Sequence, residues 1–377
     1  MRASVSIVGG GISGICIAYY LTELGIKDVI VVEKGYLGSG STFRCATGIR
    51  ASFTTEEHIV LMKNSIEMWK ELSESYGFYY LRGGYLWLLS RESDVEAFKK
   101  YVEFHHSLGV PTRLLSQDEI RNLVPGIRLS NVLASIYDPL AGKACPFEAL
   151  HAIARECKKR GVKIYTQTEA TRILIKNNRV IGIETSRGSI EAENVVIAAG
   201  YGTKSLMKTV GINIPLENVP HHALVTERFK ETFKPLIIDW STGAYIVQTK
   251  DGNFLMGTEI EEEPNIPPTV RIDFIPRIAK IWIQYLPWLR EVRVLRYWTG
   301  YYVMSPDRHP IYGPVDEIEG LYIAAGYSGH GFMMGPITGK LIAEWIVDGK
   351  PSIPQAMRLT LRRIKEGKLI HELAVIG

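Results

Sequence analysis

The spacing of apolar positions changes along the N-terminal stretch. Residues 5–8 form a short β-branched run, Ile12, Ile15, Tyr19 and Leu24 recur at helical spacing, and residues 29–32 return to a β-branched run closed by Glu33. Short apolar runs read as strands and a three-to-four-residue recurrence as a helix, so the pattern predicts strand, glycine turn, helix and strand. Residues 3–22 carry no charge, about the length of a membrane span. The consecutive Gly9, Gly10 and Gly11 in that stretch are poor helix material. A secretory signal would want a basic start and a small-residue cleavage site, and Arg2 alone hints at one.

Farther along, residues 56–76 and 91–108 read as amphipathic helices. Ser116 and Glu119 form a capping-box pattern opening a short helix that stops before Pro125, and Pro146 starts another that ends at Gly161. Residues 162–200 read as strands joined by turns at Asn177-Asn178 and Arg187-Gly188, the last strand at 195–198. Further strands are expected at 80–89, 219–227, 243–249, 253–259 and 293–303, with a helix around 270–285. Near the C-terminus a strand at 321–324, a glycine-rich loop at 326–331 and a helix at 335–347 follow one another. The basic, weakly amphipathic tail 354–373 reads as a terminal helix, either solvated or docked on an acidic partner. The predicted fold class is α/β (α+β), a Rossmann-like nucleotide-binding domain interwoven with an antiparallel-sheet substrate domain. Residues 1–80, 140–215 and 305–377 are assigned to the first, and 81–139 and 216–304 to the second.

Composition narrows the classes. The 377 residues are 46% hydrophobic and 22% charged, ordinary for a globular protein. A net charge of +4 without a long basic block before the C-terminus argues against nucleic acid as the main partner. The four cysteines (Cys16, Cys45, Cys145, Cys157) are far apart with no CxxC pair, so reduced packing residues are expected rather than disulfides or zinc. His221 and His222 are neighbours on an expected strand and point to opposite faces, so no metal site is assigned there.

The N-terminal spacing carries chemistry. In Gly9-x-Gly11-x-x-Gly14, Gly9 permits the tight turn, Gly11 lets a pyrophosphate approach the helix N-terminus, and Gly14 lets helix and strand pack closely. Glu33, placed 19 residues after Gly14, can accept hydrogen bonds from ribose hydroxyls. The small-residue turn Ala199-Gly200 and the later strand, glycine loop and helix would bring further backbone to the same coenzyme. A helix N-terminus near residue 335 suits the electron-rich end of a reduced flavin, which points to FAD.

The segments "GSGSTFRCATGIRASF", "AAG", "TGYYVMSPDRHPIYG" and "GYSGHGFMMGP" complete the picture. With them the chain resembles, over essentially its full length, the FAD-dependent amine and amino-acid oxidoreductases that include sarcosine oxidase, glycine oxidase and D-amino-acid oxidase. Within that superfamily it looks most like the β subunits of archaeal dye-linked L-proline dehydrogenases and heteromeric sarcosine oxidases. The resemblance implies oxidation of a carbon–nitrogen bond by hydride transfer to flavin N5, with L-proline the expected substrate. Sarcosine oxidase β-like and glycine oxidase-like activities are the alternatives within the class. A non-catalytic flavin-binding electron-transfer subunit is the alternative outside it.

The resemblance also implies site residues. Arg50 matches the arginine that binds the amino-acid carboxylate, a role suited to a planar two-bond fork. His330, Tyr245 and Glu259 are the other expected catalytic or substrate contacts. Arg44, Thr47, Gly48, Ile49, Gly331, Phe332 and Met333 are expected around the flavin. Ile12, Ser13, Lys34, Ser41, Thr42, Ala170, Gly202, Gly300, Gly326 and Gly329 are expected elsewhere along the cofactor. Gly300 stands where many sarcosine oxidases link flavin through a cysteine, with no cysteine expected nearby, so FAD is expected to be noncovalent. Met333 replaces a second carboxylate-clamping lysine, and Leu255 or Met256 replaces the lysine that promotes reaction with oxygen, which implies a dehydrogenase. The β-subunit likeness implies a partner subunit carrying a further electron acceptor. Residence is expected in the cytoplasm, with peripheral membrane attachment through a partner as the alternative.

Overall fold

A computed structural model describes residues 1–375. Among these residues the strands form two eight-stranded sheets and one three-stranded sheet. The first is centred on β1 (Arg2–Val8), which pairs in parallel with β2 (Val29–Val32) on one side and with the strand Gly188–Ile197 on the other. The strand Lys163–Tyr165 extends it in parallel beyond β2, and Leu321–Ala325 runs parallel to the end of Gly188–Ile197. The hairpin Ala170–Lys176 and Arg179–Thr185 turns at Asn177 and Asn178, whose φ values of 50° and 58° are the left-handed pair a two-residue turn requires.

Between β1 and β2 runs α1 (Ile12–Glu23). The expected one-sided stripe understates its burial, because Ile12 through Tyr19 are all buried. The helix lies between the sheet, the helix Pro146–Lys159 and the helix Gly335–Asp348. The last contact needs glycine: a Cβ at Gly339 would lie 2.5 Å from the Cys16 carbonyl oxygen. Leu24, expected on the stripe, is 42% exposed beyond the helix end.

The second sheet has the strand order Val294–Met304, Glu217–Arg228, Asn253–Thr258, Ala244–Gln248, Leu236–Asp239, Tyr85–Leu89, Ala134–Asp138, Arg113–Leu115. It is antiparallel, as expected, except where Leu236–Asp239 runs parallel to Tyr85–Leu89. The expected strand at 80–89 is broken, because Gly84 at φ 83° redirects the chain between Tyr80–Leu81 and Tyr85–Leu89. The helix expected around 270–285 begins only at Phe274, and the capping box of Ser116 and Glu119 is formed.

The tail departs from expectation. Instead of one helix it makes two short helical turns, Pro354–Leu359 and Leu361–Lys365, followed by an extended segment. Every lysine and arginine between 354 and 373 is ion-paired within the chain: Arg358 with Glu57, Arg362 with Asp316, Arg363 with Asp307, Lys365 with Glu317 and Lys368 with Glu366. Gly367 and Lys368 close the last turn, and the chain then crosses to the N-terminus of α2 (Glu56–Tyr76).

Candidate active site

A cavity of about 720 Å³ runs from the carboxyl edge of the first sheet to the face of the second. Its volume falls in the range of small-molecule and cofactor sites. At one end, the turn after β1 is built so that only glycine fits. Gly9 has φ 117°, and a Cβ there would lie 2.2 Å from the Ala198 carbonyl oxygen. Gly14 packs under it, with its own Cβ position 1.9 Å from the Gly9 oxygen, so it supports the turn without lining the cavity. Gly11 is the N-cap of α1 and has no side-chain cap, which leaves helix N–H groups for an anion. Thr42 Oγ1 accepts from the Ile12 N–H at 3.1 Å.

Glu33 stands at the end of β2. Its carboxylate accepts from the N–H groups of Gly10 and Gly35, both at 2.8 Å, and from the Ser39 hydroxyl at 3.2 Å. Lys34 lies over the Tyr201 ring at 4.3 Å. Ser13, Ser41, Ala170, Ala199, Gly200 and Gly202 line this half of the cavity.

At the other end the glycine loop meets the second sheet. Gly326 (φ 69°), Ser328 (φ 50°) and Gly329 (φ 93°) bend the chain so that His330, Gly331, Phe332 and Met333 line the wall. Opposite them run Arg44, Thr47 and Gly48. Arg44 donates to the Ser39 and Gly40 carbonyls and packs its stem against Gly300, where a Cβ would lie 3.1 Å away. The Tyr85 hydroxyl occupies the space where Gly48 would carry a Cβ.

Tyr85, Tyr245 and Tyr302 come from three strands of the second sheet. Burial pushes all three phenols up, so they remain protonated donors at neutral pH. Tyr245 was legible in the sequence, whereas Tyr85 and Tyr302 were not, because their strand faces depend on long-range register.

Arg50 is 2% exposed at the edge of this chamber. It donates to the Ser52 carbonyl through Nη1 and to the Ala374 carbonyl through Nη2, both at 2.5 Å, and Nη2 lies 3.4 Å from His330 Nε2. Its guanidinium covers the Phe53 ring at 3.7 Å and the Trp87 ring at 4.8 Å. No described carboxylate forms an ion pair with it. The nearby Asp138 is committed to the N–H groups of Ala51 and Ser52. Burial lowers the Arg50 pKa to about 10, which leaves the group cationic at neutral pH.

His330 is held well below its ordinary pKa by burial and by the adjoining Arg50, so it is neutral there. Among the described residues its Nδ1 and the Thr47 hydroxyl have no hydrogen-bond partner, and both are buried. Both line the cavity, as expected of groups awaiting a bound molecule.

Not every expected residue reaches the cavity. Ile49 is fully buried in the core beneath it. Glu259 follows the end of the strand Asn253–Thr258, is exposed and does not line the cavity, although its charge reaches the Tyr302 phenol. Leu255 and Met256 pack into the cores on the two faces of the second sheet. A cysteine does line the cavity, namely Cys45, next to the Arg44 that covers Gly300. Burial pushes its thiol up to about 12, so it is protonated at neutral pH. His222 is held by Thr299 at 3.0 Å and Glu262 at 2.8 Å, while His221 stacks on Tyr302 at 3.7 Å.

Behind Arg50 the buried residues His58, His309 and Glu372 bring their ligand atoms within 4.8 Å of one another. The rings of the two histidines stack at 4.3 Å with 26° between planes, so their in-plane lone pairs point side by side instead of toward one centre. Glu372 already accepts from Thr54 N at 3.0 Å, Thr54 Oγ1 at 2.6 Å, Thr55 Oγ1 at 2.9 Å and Ala374 N at 2.9 Å. This arrangement is a hydrogen-bonded knot rather than a metal cage. Sequence reasoning missed it because its members lie more than 300 residues apart for the Thr54–Glu372 contact.

A long slot with a glycine turn and helix N-terminus at one end and a guanidinium chamber at the other is the layout of a dinucleotide-dependent oxidoreductase. The chain belongs to the FAD dependent oxidoreductase (DAO) family, whose pattern covers residues 4–345. It is 28% identical to the sarcosine oxidase subunit beta of Rhodobacter capsulatus over 383 residues, covering 100% of this chain and 92% of that protein. Among solved structures it is similar to L-proline dehydrogenase from P. horikoshii, with a TM-score of 0.95 at 38% identity over 98% of this chain and 99% of that one. It is also similar to glycine oxidase from Bacillus cereus, with a TM-score of 0.83 at 26% identity over 92% and 96% of the two chains. Among the described residues no helix is long and apolar enough to cross a membrane.

Proposed function

We propose that this chain is the catalytic, FAD-bearing β subunit of a hetero-oligomeric dehydrogenase that oxidises the C–N bond of a secondary amino acid, foremost L-proline. The observation that carries the reading is Arg50: a buried cation with no ion-pair partner among the described residues, beside a neutral His330, at the end of the cavity away from Glu33. Burying an unpaired charge is costly, and a substrate carboxylate would supply the missing partner. The likeness to the P. horikoshii L-proline dehydrogenase favours proline over sarcosine and glycine.

FAD supplies the hydride acceptor. In this reading Gly9, Gly11, Ser13 and Thr42 hold the pyrophosphate, Glu33 the ribose, and Thr47, Gly48 and residues 329–333 the flavin end. Arg50 fixes the carboxylate, and Tyr85, Tyr245 and Tyr302 close the chamber around the amine. His330 stays neutral and, until a carboxylate takes the Nη2 hydrogen, accepts a hydrogen bond from Arg50. The cofactor is bound noncovalently, since Gly300 offers no nucleophile and the Cys45 thiol is protonated. In this reading the chain divides into a cofactor domain (1–80, 140–215, 305–377) and a substrate domain (81–139, 216–304), a division that the membership of the two large sheets supports.

The relatives named as sarcosine oxidase subunit beta support a partner subunit that takes the electrons onward. Residence in the cytoplasm is part of the same reading. Dye-linked turnover with L-proline, sarcosine, glycine and D-amino acids tests it. L-Proline should reduce the dye much faster than the chain makes peroxide in air. Turnover with none of them would overturn the reading, and peroxide formation rivalling dye reduction would overturn the dehydrogenase assignment.

A further inference from the structure

We propose that the C-terminal segment 370–375 is a brace that aims the Arg50 guanidinium into the cavity, with Glu372 as its positioning residue; the inference rests on the carboxylate role given to Arg50 above. The segment is stitched down along its length. Ile370 N donates to Asp307 Oδ2 at 3.2 Å, and Glu372 N donates to the Asp307 carbonyl at 3.1 Å. Leu373 N donates to Thr54 Oγ1 at 3.0 Å, and the Ala374 carbonyl accepts from Arg50 at 2.5 Å. Asp307 is in turn gripped by the Arg363 fork at 2.7 and 2.9 Å. The path from the buried Asp307–Arg363 pair to the Arg50 guanidinium is thus continuous.

Glu372 is the anchor at its centre. Fully buried, it takes Thr54 N, both threonine hydroxyls and His58 Nδ1 at the start of α2, and it also accepts from Ala374 N. Burial alone would raise its pKa. The hydrogen bonds and the pairing with His58 instead hold it well below the usual carboxylate range, so it is ionised at neutral pH.

The guanidinium geometry explains what the brace does. Both two-bond forks of an arginine use a hydrogen on Nη2, one with Nη1 and one with Nε. The Ser52 and Ala374 carbonyls take one hydrogen from each terminal nitrogen. Ala374 does not line the cavity, whereas Arg50 and His330 do. The two carbonyls therefore hold the group from behind. The other Nη2 hydrogen is left on the weak 3.4 Å contact to His330, which a carboxylate can replace. Without the Ala374 carbonyl, one of the two rear anchors is gone and the plane of the fork is free to turn.

The test compares a substrate with its own amine lacking the carboxylate. Whichever of L-proline and sarcosine the parent chain oxidises is measured against pyrrolidine or dimethylamine. In Glu372→Ala, and in a chain ending at Leu369, the ratio of kcat/KM for amino acid over bare amine should fall by about 10- to 100-fold, mostly through KM. Glu372→Gln, which keeps an acceptor for Thr54, should recover most of that ratio. A ratio unchanged in both the substituted and the shortened chain would overturn the brace, as would losses shared equally by both substrates. Failure of the parent chain to oxidise either amino acid would instead overturn the functional reading on which it rests.

Discussion

Replacing Arg50 with lysine tests the carboxylate grip with the least collateral damage. Alanine would strip the Ser52 and Ala374 carbonyls of their donor and leave a void between Phe53 and Trp87. Each buried orphan costs about 1–3 kcal/mol, so lost stability would blur the result. Lysine keeps the charge and most of the volume but offers a point donor in place of a fork. One of two charge-assisted hydrogen bonds to the carboxylate is then lost, worth about 1.5–3 kcal/mol. At about 1.4 kcal/mol per factor of ten, KM for L-proline should rise roughly 10- to 100-fold. The flavin spectrum and flavin content should be unchanged, because Arg50 stands at the chamber edge and no cofactor role is needed to explain its contacts. The assay is steady-state dye reduction alongside an absorbance spectrum of each variant. An unchanged KM, or a loss of flavin in proportion to the loss of activity, would refute the assignment.

Other consequences follow from the same geometry. Gly11→Ala adds a Cβ that meets only Thr42 Oγ1 at 3.1 Å, so it should fold but take up FAD poorly; Gly9→Ala, at φ 117° and 2.2 Å from the Ala198 oxygen, should fail to accumulate as folded protein. Asp307 is held at about 2: burial opposes its ionisation, and the Arg363 fork and backbone donors outweigh that. Its folded pKa lies below its ordinary value of 3.8, so this stability is fully present above about pH 4 and is lost as pH falls toward 2. Asp307→Asn should cost about 3–5 kcal/mol in a neutral-pH denaturant titration by leaving Arg363 buried without its charge partner. It should also flatten that acid limb. Acid precipitation should release all the yellow colour into solution, equally in the parent chain and in Cys45→Ser, and colour retained by the parent pellet alone would show a covalent bond at Cys45.

Much of the glycine-rich lining of the cavity was readable because its signals are local. The turn from Gly9 to Gly14, the acid at Glu33 and the loop from Gly326 to Met333 each lie within one strand–turn–helix unit, where spacing alone constrains geometry. The wall supplied by the second sheet depends on pairing between distant segments. Tyr302 reaches the chamber because Val294–Met304 pairs in register with Glu217–Arg228, and a shift of one residue would turn it to the other face. Glu259 was placed by resemblance alone, and the strand ends at Thr258 before it, which leaves the acid exposed outside the cavity lining. The tail was read as a helix from its weak amphipathicity, yet most of its basic residues pair with acids far off in sequence. Glu372, set between Leu373 and a basic run, gives no local sign that it anchors the start of α2 or reaches toward Arg50.

The most direct measurement is anaerobic mixing of the purified yellow protein with L-proline while the flavin absorbance is followed through a single turnover. Rapid bleaching by L-proline, much slower bleaching by pyrrolidine, and full return of the colour on adding an electron-accepting dye are expected. A protein that binds no flavin, or a flavin that stays oxidised under L-proline, sarcosine, glycine and D-amino acids alike, would contradict the proposed function.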